Sequence, residues 1–508
     1  MPSQIIINAT DPEEFRVAIT EDKILQDFFI ETAFKKQIVG NIYKGIVVGV
    51  QPSLEAAFVN FGAEKNGFLP LSEIHPEYFA ISPELIESPA KKNHSLKTGK
   101  STTGGVRIQD LIKKGQEVLV QVVKEEVGNK GAALTTYLSI PGSYLVLMPG
   151  RPHRGISRKI IDEKKRTRLR DLLNQLPLPE EIGVILRTAG ENRTKREIKR
   201  DLRYLLRLWD DIKKRAQKLS APSLVYKEQD LGIRVVRDHF TSDVKAIIVD
   251  NKEIHKTIRD FLGIISPRHK RIAKLYKGDE PIFVRYGIED QIKSIFDKTV
   301  PLSTGAYLVI EKTEALVAID VNSGRMTSEI DQEETAYRVN LDAASEIPRQ
   351  LRLRDLGGLT VVDFIDMKDN KHKRSVEKVI RDGFKKDKAK VEIGRISKFG
   401  LLEIARQHLH SSIDFGTMIP CKYCKGTGKI RSPETIALDF LRQIRHGLCS
   451  NAKISRIFVS VPPAVADYLL NQKRSDLVRL ENQYNLTICV ESDPKKLPEE
   501  GVINFETG

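Results

Sequence analysis

Cysteine is scarce in this 508-residue chain, which contains four. So few thiols cannot form a disulfide framework in a chain of this length, and a reducing cytoplasm is the simplest location. Long apolar runs are also lacking, since none approaches the roughly 18 residues that a membrane helix requires. Residues 1–14 include acids and no basic-then-apolar pattern, so we expect neither a secretory signal nor a transmembrane segment.

Acidic residues are outnumbered by basic ones, 68 against 83, which gives a formal charge of +15. This excess favours a polyanionic partner, and nucleic acid is the commonest one in a cytoplasm. A basic surface that binds nothing is the alternative on charge alone. The length predicts roughly three to five compact units.

The first third of the chain has the pattern of a small β-barrel. Apolar and polar residues alternate between glycines at 39–50 and 56–61, and a second group of strands is predicted at 117–124 and 132–138. Residues 88–105 are rich in Lys, Ser, Thr and Gly, which predicts a flexible loop inserted into the barrel.

The rest of the chain alternates helical and strand patterns. Residues 162–219 predict basic helices interrupted by a strand at 183–186. Asp331 and Glu334 offer a capping pair for a helix whose apolar residues recur through Leu351. Further strands are predicted at 233–236, 246–249, 306–310, 315–321 and 359–365, a further helix at 251–262, and a small α/β unit at 431–508.

Two acids stand on predicted strands. Because side chains alternate along a strand, Asp320 and Asn322 share one face, while Asp363 interrupts the apolar run 359–365. A helix joins the two strands, and this βαβ arrangement can place them side by side in parallel. Two converging carboxylates suit Mg²⁺, which also takes phosphate oxygens. The sequence therefore predicts a magnesium-dependent phosphodiester site.

An ordinary structural role competes with this interpretation. Each acid can instead cap a helix or pair with a nearby arginine, such as Arg325 or Arg354. Asp366 is a rival to Asp363, but it lies three residues further on and is predicted to face the other way.

Cys421 and Cys424 form a CxxC pair followed by a Gly-rich turn, the pattern of a zinc knuckle. A structural zinc takes four ligands, and one pair supplies two. Either distant residues complete the site or a second subunit does, which predicts a two-fold dimer with the metal on its axis. A redox role is less favoured, because no thioredoxin-like strand precedes the pair. Cys449 and Cys489 stand alone, without a second CxxC pair, and the intrachain rivals are His408 and His410.

Two regions have features of RNA-binding surfaces. Aromatic rings on a barrel face can stack on bases while lysines follow the backbone, although at least one of the phenylalanines is expected in the core. Residues 187–190 offer Arg187, the Thr188 hydroxyl and free backbone amides to a phosphate, or form an ordinary strand-to-helix turn. The barrel residues concerned are Phe58, Phe61, Phe68, Lys44, Lys65, Lys124 and Lys130.

Taken together, several stretches resemble the ribonuclease E/G family. They occur in the family's order and cover nearly the whole chain. They are GNIYKG at 40–45, PSLEAAFV at 52–59, GFLP at 67–70, RTAG at 187–190, AIDVNSG at 318–324, residues 351–366 and the Cys421 link.

The resemblance implies a multidomain α/β protein with an S1-type OB barrel. It implies a ribonuclease-H-like subdomain without its own active site at 1–36 plus 233–295, and the S1 domain at 37–136 with an inserted loop at about 75–107. A 5′-phosphate sensor at 137–232 and a deoxyribonuclease-I-like catalytic domain at 296–416 follow. A zinc link at 417–430 and a small dimerisation domain at 431–508 complete the chain.

The resemblance also implies roles for individual residues. Asp320 and Asp363 match magnesium ligands, and Asn322 matches a contact to the scissile phosphate. Cys421 and Cys424 match a zinc site shared between protomers, whose dimers pair into tetramers in some members. The 5′-monophosphate sensor is matched by Arg187, Thr188, Gly142, Val146 and Arg158, and the RNA-gripping face by Phe58, Phe68, Lys124 and Lys130.

The implied reaction is hydrolysis of single-stranded, A/U-rich RNA that leaves a 3′-hydroxyl and a 5′-phosphate, in RNA processing and mRNA decay. The loop at about 75–105 is longer than the family pattern. In length the chain resembles the short, ribonuclease-G-like form, without a long C-terminal scaffold for protein partners, although length alone does not assign the subfamily. A non-catalytic RNA-binding protein and a deoxyribonuclease are the competing hypotheses.

Overall fold

The computed structural model describes residues 3–33, 38–78, 108–126, 130–160, 162–241, 243–324, 332–408, 413, 418–450 and 454–507. The chain divides into two compact units, Met1–Gly416 and Thr417–Gly508. Across these described ranges, no helix combines the length and the apolar character needed to cross a membrane.

The first unit begins with an antiparallel meander of β1 (Ser3–Asn8), β2 (Glu14–Glu21) and β3 (Ile24–Thr32). Ile5, Ile6 and Ile7 of β1 are each at most 1% exposed. Because consecutive strand residues point to opposite faces, β1 must be covered on both sides.

A closed five-stranded barrel follows, as the sequence predicts. Its strands are hydrogen-bonded in the order β4-β5-β6-β8-β7, and β4 pairs with β7 to close the ring. Residues 79–107, most of the predicted inserted loop, lie outside the described residues. The elements are β4 (Ile42–Gln51), β5 (Ala56–Asn60), β6 (Gly67–Pro70), α1 (Ile108–Leu111), β7 (Glu117–Lys124) and β8 (Ala133–Thr135).

The next region is a four-stranded sheet in the order β11-β12-β10-β9, packed against a long helix, α3. Thr194 and Glu197 form a capping box at the start of α3. β13 lies in the range expected for the sensor but pairs with β4 of the barrel. The elements are β9 (Ile140–Pro141), β10 (Leu145–Pro149), β11 (Arg154–Ile156), α2 (Glu163–Asn174), β12 (Ile182–Leu186), α3 (Lys195–Lys218) and β13 (Ser223–Tyr226).

The chain then returns to its first sheet through β14 (Val244–Val249), which pairs in parallel with β1, and β15 (Ala273–Leu275). The predicted strand at 233–236 is wrong. These residues lie in α4 (Leu231–His239), where Leu231, Val235 and Val236 form a buried stripe at helical spacing. The predicted helix near 251–262 is confirmed as α5 (Lys252–Ile265), and α6 (Ile282–Arg285) and α7 (Glu289–Ser294) follow.

The last part of the first unit is a mixed six-stranded sheet in the order β16-β17-β18-β19-β21-β20. α8 connects β18 to β19, and these two strands are parallel, as predicted. Asp331 lies outside the described residues, and Glu334 forms an ion pair with Arg338 at 2.9 Å. The elements are β16 (Thr299–Pro301), β17 (Tyr307–Lys312), β18 (Val317–Asn322), α8 (Gln332–Leu353), β19 (Gly358–Asp363), α9 (Asn370–Phe384), β20 (Val391–Ile393) and β21 (Leu401–Arg406).

The second unit is a small α/β structure, as predicted. Its three-stranded sheet has the order β23-β22-β24, with β23 parallel and β24 antiparallel to β22. Its elements are α10 (Pro433–Ser450), β22 (Ile454–Val461), α11 (Pro463–Asp467), α12 (Arg474–Tyr484), β23 (Thr487–Ser492) and β24 (Val502–Thr507).

Candidate active site and RNA-binding surfaces

Asp320 and Asp363 are direct register partners on the parallel strands β18 and β19. Adjacent strands lie about 4.8 Å apart, so the two backbones hold the carboxylates side by side. On β18 the buried residues Val317, Ile319 and Val321 alternate with the exposed Asp320. The apolar face packs in the core with α8, and the alternation turns Asp320 outward.

The carboxylate pair has a polar neighbour, Asn322, but no basic side chain among the described residues pairs with it. The Asn322 side-chain amide donates to Asp320 Oδ2 at 2.8 Å. No ion pair links Asp320 or Asp363 to a described residue. Arg354 is buried and donates through Nε to Gln350 at 2.9 Å, and Arg325 lies outside the described residues.

The electrostatics of this pair fit a divalent cation. Asp363 is exposed, but partial desolvation raises its pKa, and the negative charges of Asp320 and Asp366 raise it further. Within the described ranges, His, Cys, Asp and Glu side chains form no potential metal-binding group of three or more. Mg²⁺ does not require such a group, because it is typically held by one or two carboxylates, waters and substrate phosphates.

The prediction that Asp366 faces away from Asp363 is wrong. β19 ends at Asp363, so the two-residue alternation does not extend to Asp366. A Cβ atom added at Gly400 would lie 3.8 Å from Asp363 Oδ1 and 3.4 Å from Asp366 Oδ1, which places both carboxylates beside this glycine. Asp366 therefore contributes negative charge to the same site.

Asn340 of α8, which is fully buried, fixes the segment that follows β19. Its side-chain amide donates to the carbonyl of Ile365 at 2.8 Å, and its Oδ1 accepts the backbone N–H of Ile365 at 3.1 Å. The sequence reasoning missed this residue. The available signal is an amide within the apolar stripe of α8, beside Val339 and Ala343.

The predicted RNA-gripping residues form a row across the barrel. Phe58 pairs with Phe68, Phe68 pairs with Ala133, and Ala133 pairs with Lys124. Cross-strand partners share a face, so the two rings and the lysine lie on one outer surface. The rings are half-buried and 6.0 Å apart in an edge-to-face arrangement. Lys130 is exposed, and Phe61, 2% exposed, is the core phenylalanine that the sequence leads us to expect.

The predicted sensor residues also converge. Arg187 donates to the carbonyl of Gly142 and to Asp238, each at 2.6 Å. Thr188 shares a hydrogen bond with Ser157 at 3.3 Å, and Ser157 precedes the exposed Arg158. Val146 is on β10, the strand beside β12 that leads into Arg187.

Two carboxylates, Asp238 and Asp201, hold the backbone and side chains around Arg187 in place. Sequence reasoning did not identify either of them. Burial would raise the pKa of Asp238, but the guanidinium groups of Arg237 and Arg187 lower it well below its usual value. Asp201, 1% exposed, accepts backbone N–H groups from Ser143, Tyr144 and Leu145. An acid in the apolar stripe of α3 was the signal for Asp201. No local sequence pattern indicates the ion pair between Asp238 and Arg187.

The segment before β20 touches the sensor region. Lys159 Nζ donates to the carbonyls of Asp387 and Ala389 at 3.3 and 3.1 Å, and Lys388 Nζ donates to the carbonyl of Asp238. Asp387 also binds Arg406 of β21, the neighbour of β19. Contacts therefore run from the Arg187 region to the sheet that carries Asp363.

In the second unit, Cys421 and Cys424 lie at a hydrogen-bonded turn, in which Lys425 N donates to the carbonyl of Cys421 at 2.8 Å. The backbone N–H groups of Gly426 and Gly428 approach the Cys424 sulfur and lower the pKa of its thiol. The positive φ angles of Gly426 (+101°) and Gly428 (+71°) allow this approach. A thiolate stabilised in this way suits a metal such as zinc.

Comparison with known proteins gives these sites a context. Residues 139–409 match the Ribonuclease E/G family, residues 36–136 the S1 RNA binding domain, and residues 420–504 the RNase E/G, Thioredoxin-like domain. The chain belongs to the ribonuclease E/G family. The β4–β8 barrel coincides with the family's S1 domain, and the paired aspartates lie within the family match.

Individual relatives agree with this assignment. The chain is 44% identical over 488 residues to ribonuclease E of Haemophilus influenzae, covering 96% of this chain and 50% of the relative. It is 43% identical over 509 residues to ribonuclease E of Escherichia coli, covering 99% and 46%. Thus the chain spans about half the length of these relatives. Ribonuclease G of Escherichia coli is 33% identical over 497 residues, with 97% and 98% covered.

Proposed function

We propose that this chain is a magnesium-dependent endoribonuclease that hydrolyses single-stranded, A/U-rich RNA and leaves 5′-phosphate and 3′-hydroxyl ends. The observation that carries this proposal is the pairing of Asp320 with Asp363 on adjacent parallel strands. The S1 match and the basic charge favour RNA as the substrate. Asp320 and Asp363 repel each other, and among the described residues no basic side chain forms an ion pair with them. A protein that only binds RNA has no need for such a pair.

The two carboxylates would hold Mg²⁺, with Asn322 as the contact to the scissile phosphate. When bound, this ion polarises the phosphodiester and lowers the pKa of the attacking water. Water would attack the phosphorus, the bond to the 3′-oxygen would break, and that oxygen would take a proton. Asp320 accepts from Asn322, which fixes the orientation of the amide group beside the carboxylate pair.

Matched RNA and DNA oligomers of the same A/U- or A/T-rich sequence test the substrate class. We expect cleavage of the RNA in Mg²⁺, no cleavage in EDTA, and little cleavage of the DNA. Equal cleavage of both oligomers would favour the deoxyribonuclease hypothesis. Mg²⁺-independent binding without cleavage would favour the RNA-binding hypothesis.

The row formed by Phe58, Phe68 and Lys124, with Lys130, would grip the substrate strand by stacking and charge. We propose that the sheet of β1–β3, β14 and β15 belongs to a ribonuclease-H-like subdomain, and the β16–β21 sheet to a deoxyribonuclease-I-like domain. We place the enzyme in the cytoplasm, in rRNA and tRNA processing and mRNA decay. Its sequence identity is higher to the ribonuclease E relatives than to ribonuclease G.

The region around Arg187 and Thr188, with Gly142, Val146 and Arg158, would recognise a 5′-monophosphate. Replacing Arg187 by alanine is expected to reduce the preference for 5′-monophosphate over 5′-hydroxyl RNA by about tenfold, because one charge-assisted contact is lost. The measurement is the ratio of kcat/KM values for the two RNAs. Arg168→Ala, on the exposed face of α2, is the matched control and should leave the ratio unchanged. A preserved preference in Arg187→Ala would refute the sensor assignment.

Cys421 and Cys424 would bind a zinc ion shared with a second copy of the chain, giving a homodimer that can pair further. The double variant Cys421→Ser, Cys424→Ser is expected to lose zinc completely and to shift toward smaller species, since both chains of a shared site carry the substitutions and all four sulfur ligands are removed. Metal analysis and light scattering measure these effects. Cys449→Ser with Cys489→Ser is the control. One zinc per chain in the wild-type protein, or an unchanged mass of the double variant, would contradict a zinc site shared between two chains.

A further inference from the structure

A short turn lies against the strand end that carries Asp363. Leu401, the first residue of β21, is the register partner of Asp363. The preceding turn is closed by hydrogen bonds from Ser397 N to Leu401 O at 2.9 Å and from Gly400 N to Ser397 O at 3.2 Å. Phe364 N donates to Gly400 O at 3.3 Å. The turn is therefore held at the rim of the carboxylate pair.

The glycine in this turn permits a close approach. Gly400 has φ +81°, and a Cβ atom there would lie 2.9 Å from the carbonyl of Phe364. Any larger residue would push the turn away from β19. The position of residues 397–400 beside Asp363 is thus fixed by backbone contacts.

The tip of the turn exposes an aromatic ring. Phe399 is 69% exposed, whereas Phe364 and Phe384 of the same sheet region are 3% and 7% exposed. Lys398 Nζ lies 4.8 Å from the centroid of the Phe399 ring. The Phe399 backbone N–H donates to Ser397 Oγ at 3.2 Å. A solvent-facing ring on a hydrogen-bonded turn, beside a cation, is a platform on which a nucleobase can stack.

We propose that Phe399 and Lys398 form a nucleobase-binding subsite next to the scissile phosphate. This proposal rests on the proposed endoribonuclease function. A single strand presents unstacked bases, and an aromatic side chain is a common partner for such bases. Phe399 would stack on a base flanking the cleaved bond, and the Lys398 ammonium would lie near the adjoining backbone phosphate. The subsite lies on a different sheet from the Phe58–Phe68 row of the barrel.

Aromatic and aliphatic replacements at position 399 test stacking. Phe399→Ala and Phe399→Leu are expected to lower kcat/KM for a short A/U-rich RNA about tenfold, whereas Phe399→Trp retains most of it, because base stacking needs a flat ring. The control is Leu359→Ala. Leu359 is 44% exposed and lies at the other end of β19 from Asp363.

A second readout does not require turnover. The full-length protein is mixed in EDTA with the same RNA carrying 2-aminopurine beside the cleavage position. We expect fluorescence quenching on binding to the wild-type chain and to Phe399→Trp, and its loss in Phe399→Ala. The melting curves of the Phe399 variants should match that of the wild type, since the exposed Phe399 ring contributes little to the packing of the core.

Contrary outcomes separate this proposal from the function on which it rests. Wild-type-like kinetics and quenching in Phe399→Ala would overturn the subsite while leaving the endoribonuclease intact. A changed oligomeric mass in Phe399→Ala would also overturn it, by showing that the ring covers a protein interface. Quenching by a wild-type chain that never cleaves RNA would support the stacking contact and refute the proposed reaction.

Discussion

Replacing either Asp320 or Asp363 by asparagine is expected to lower Mg²⁺-dependent RNA cleavage by about a thousandfold or more. Asparagine has nearly the same shape, but it removes one of the two charges that would hold the cation. RNA binding should change by no more than about twofold, since the Phe58–Phe68 row and its lysines are untouched. Single-turnover cleavage and equilibrium binding of one A/U-rich oligomer measure the two effects separately.

Asp366→Asn is the matched control, because Asp366 shares the site's negative potential without being a β-strand partner of Asp320. We expect it to lose at most about tenfold in cleavage. Near-normal cleavage by Asp320→Asn or Asp363→Asn would remove the basis for the metal site. A larger loss in Asp366→Asn than in Asp363→Asn would show that Asp366 is the ligand.

Asp363→Asn should also make the metal-free protein more stable. The pKa of Asp363 is raised in the folded chain, so the ionised carboxylate opposes folding at pH values above that pKa. Asparagine removes this repulsion, and the melting temperature measured in EDTA at neutral pH should rise slightly, because solvent screens the charge of an exposed carboxylate. Loss of activity together with a gain in stability is the expected signature of a functional carboxylate rather than a structural one.

The second large effect concerns the buried ion pair between Arg406 and Asp387, whose side chains are 2% and 1% exposed. Arg406 also donates to Asp355 at 3.0 Å and to the carbonyl of Leu356 at 2.8 Å. Arg406→Ala leaves Asp387 buried without its partner, and we expect the first unit to lose about 3–5 kcal/mol of unfolding free energy. Thermal unfolding measures this loss, and hydrogen exchange of the backbone amides in β19 and β21 shows whether it is located there.

The double variant Arg406→Leu, Asp387→Leu provides the control, because it removes both charges and fills part of the space. It is expected to recover most of the lost stability. If Arg406→Ala unfolds at the wild-type temperature, the pair contributes little. If the double variant is as unstable as Arg406→Ala, the hydrogen bonds to Asp355 and Leu356 are the more important contacts.

The sequence was sufficient to predict that Asp320 and Asp363 lie side by side, because the signals for this placement are local. The two-residue period of a strand places Asp320 on the opposite face of β18 from Val317, Ile319 and Val321. The 3.6-residue period of α8 predicts a helical crossover, which makes β18 and β19 parallel. The closed barrel was predicted for a similar reason, from alternating strands between glycines.

Other features depend on contacts between distant residues, and local patterns do not contain them. The strand predicted at 233–236 is a helix, because a short β-branched run is ambiguous and the buried stripe of α4 is set by its packing. The pairing of β13 with β4 and that of Arg187 with Asp238 join separate segments of the chain. Asp366 was misplaced because the end of β19 was set two residues too late.

The parallel pairing of β1 with β14 has a consequence for biosynthesis. Strand β1 and its parallel partner β14 are about 240 residues apart in the chain, so β14 is translated long after β1. During that interval the buried isoleucines of β1 can pair with β2 but not yet with β14. A nascent chain that ends before β14 would therefore have an incomplete first sheet, without β14 and β15 beside β1.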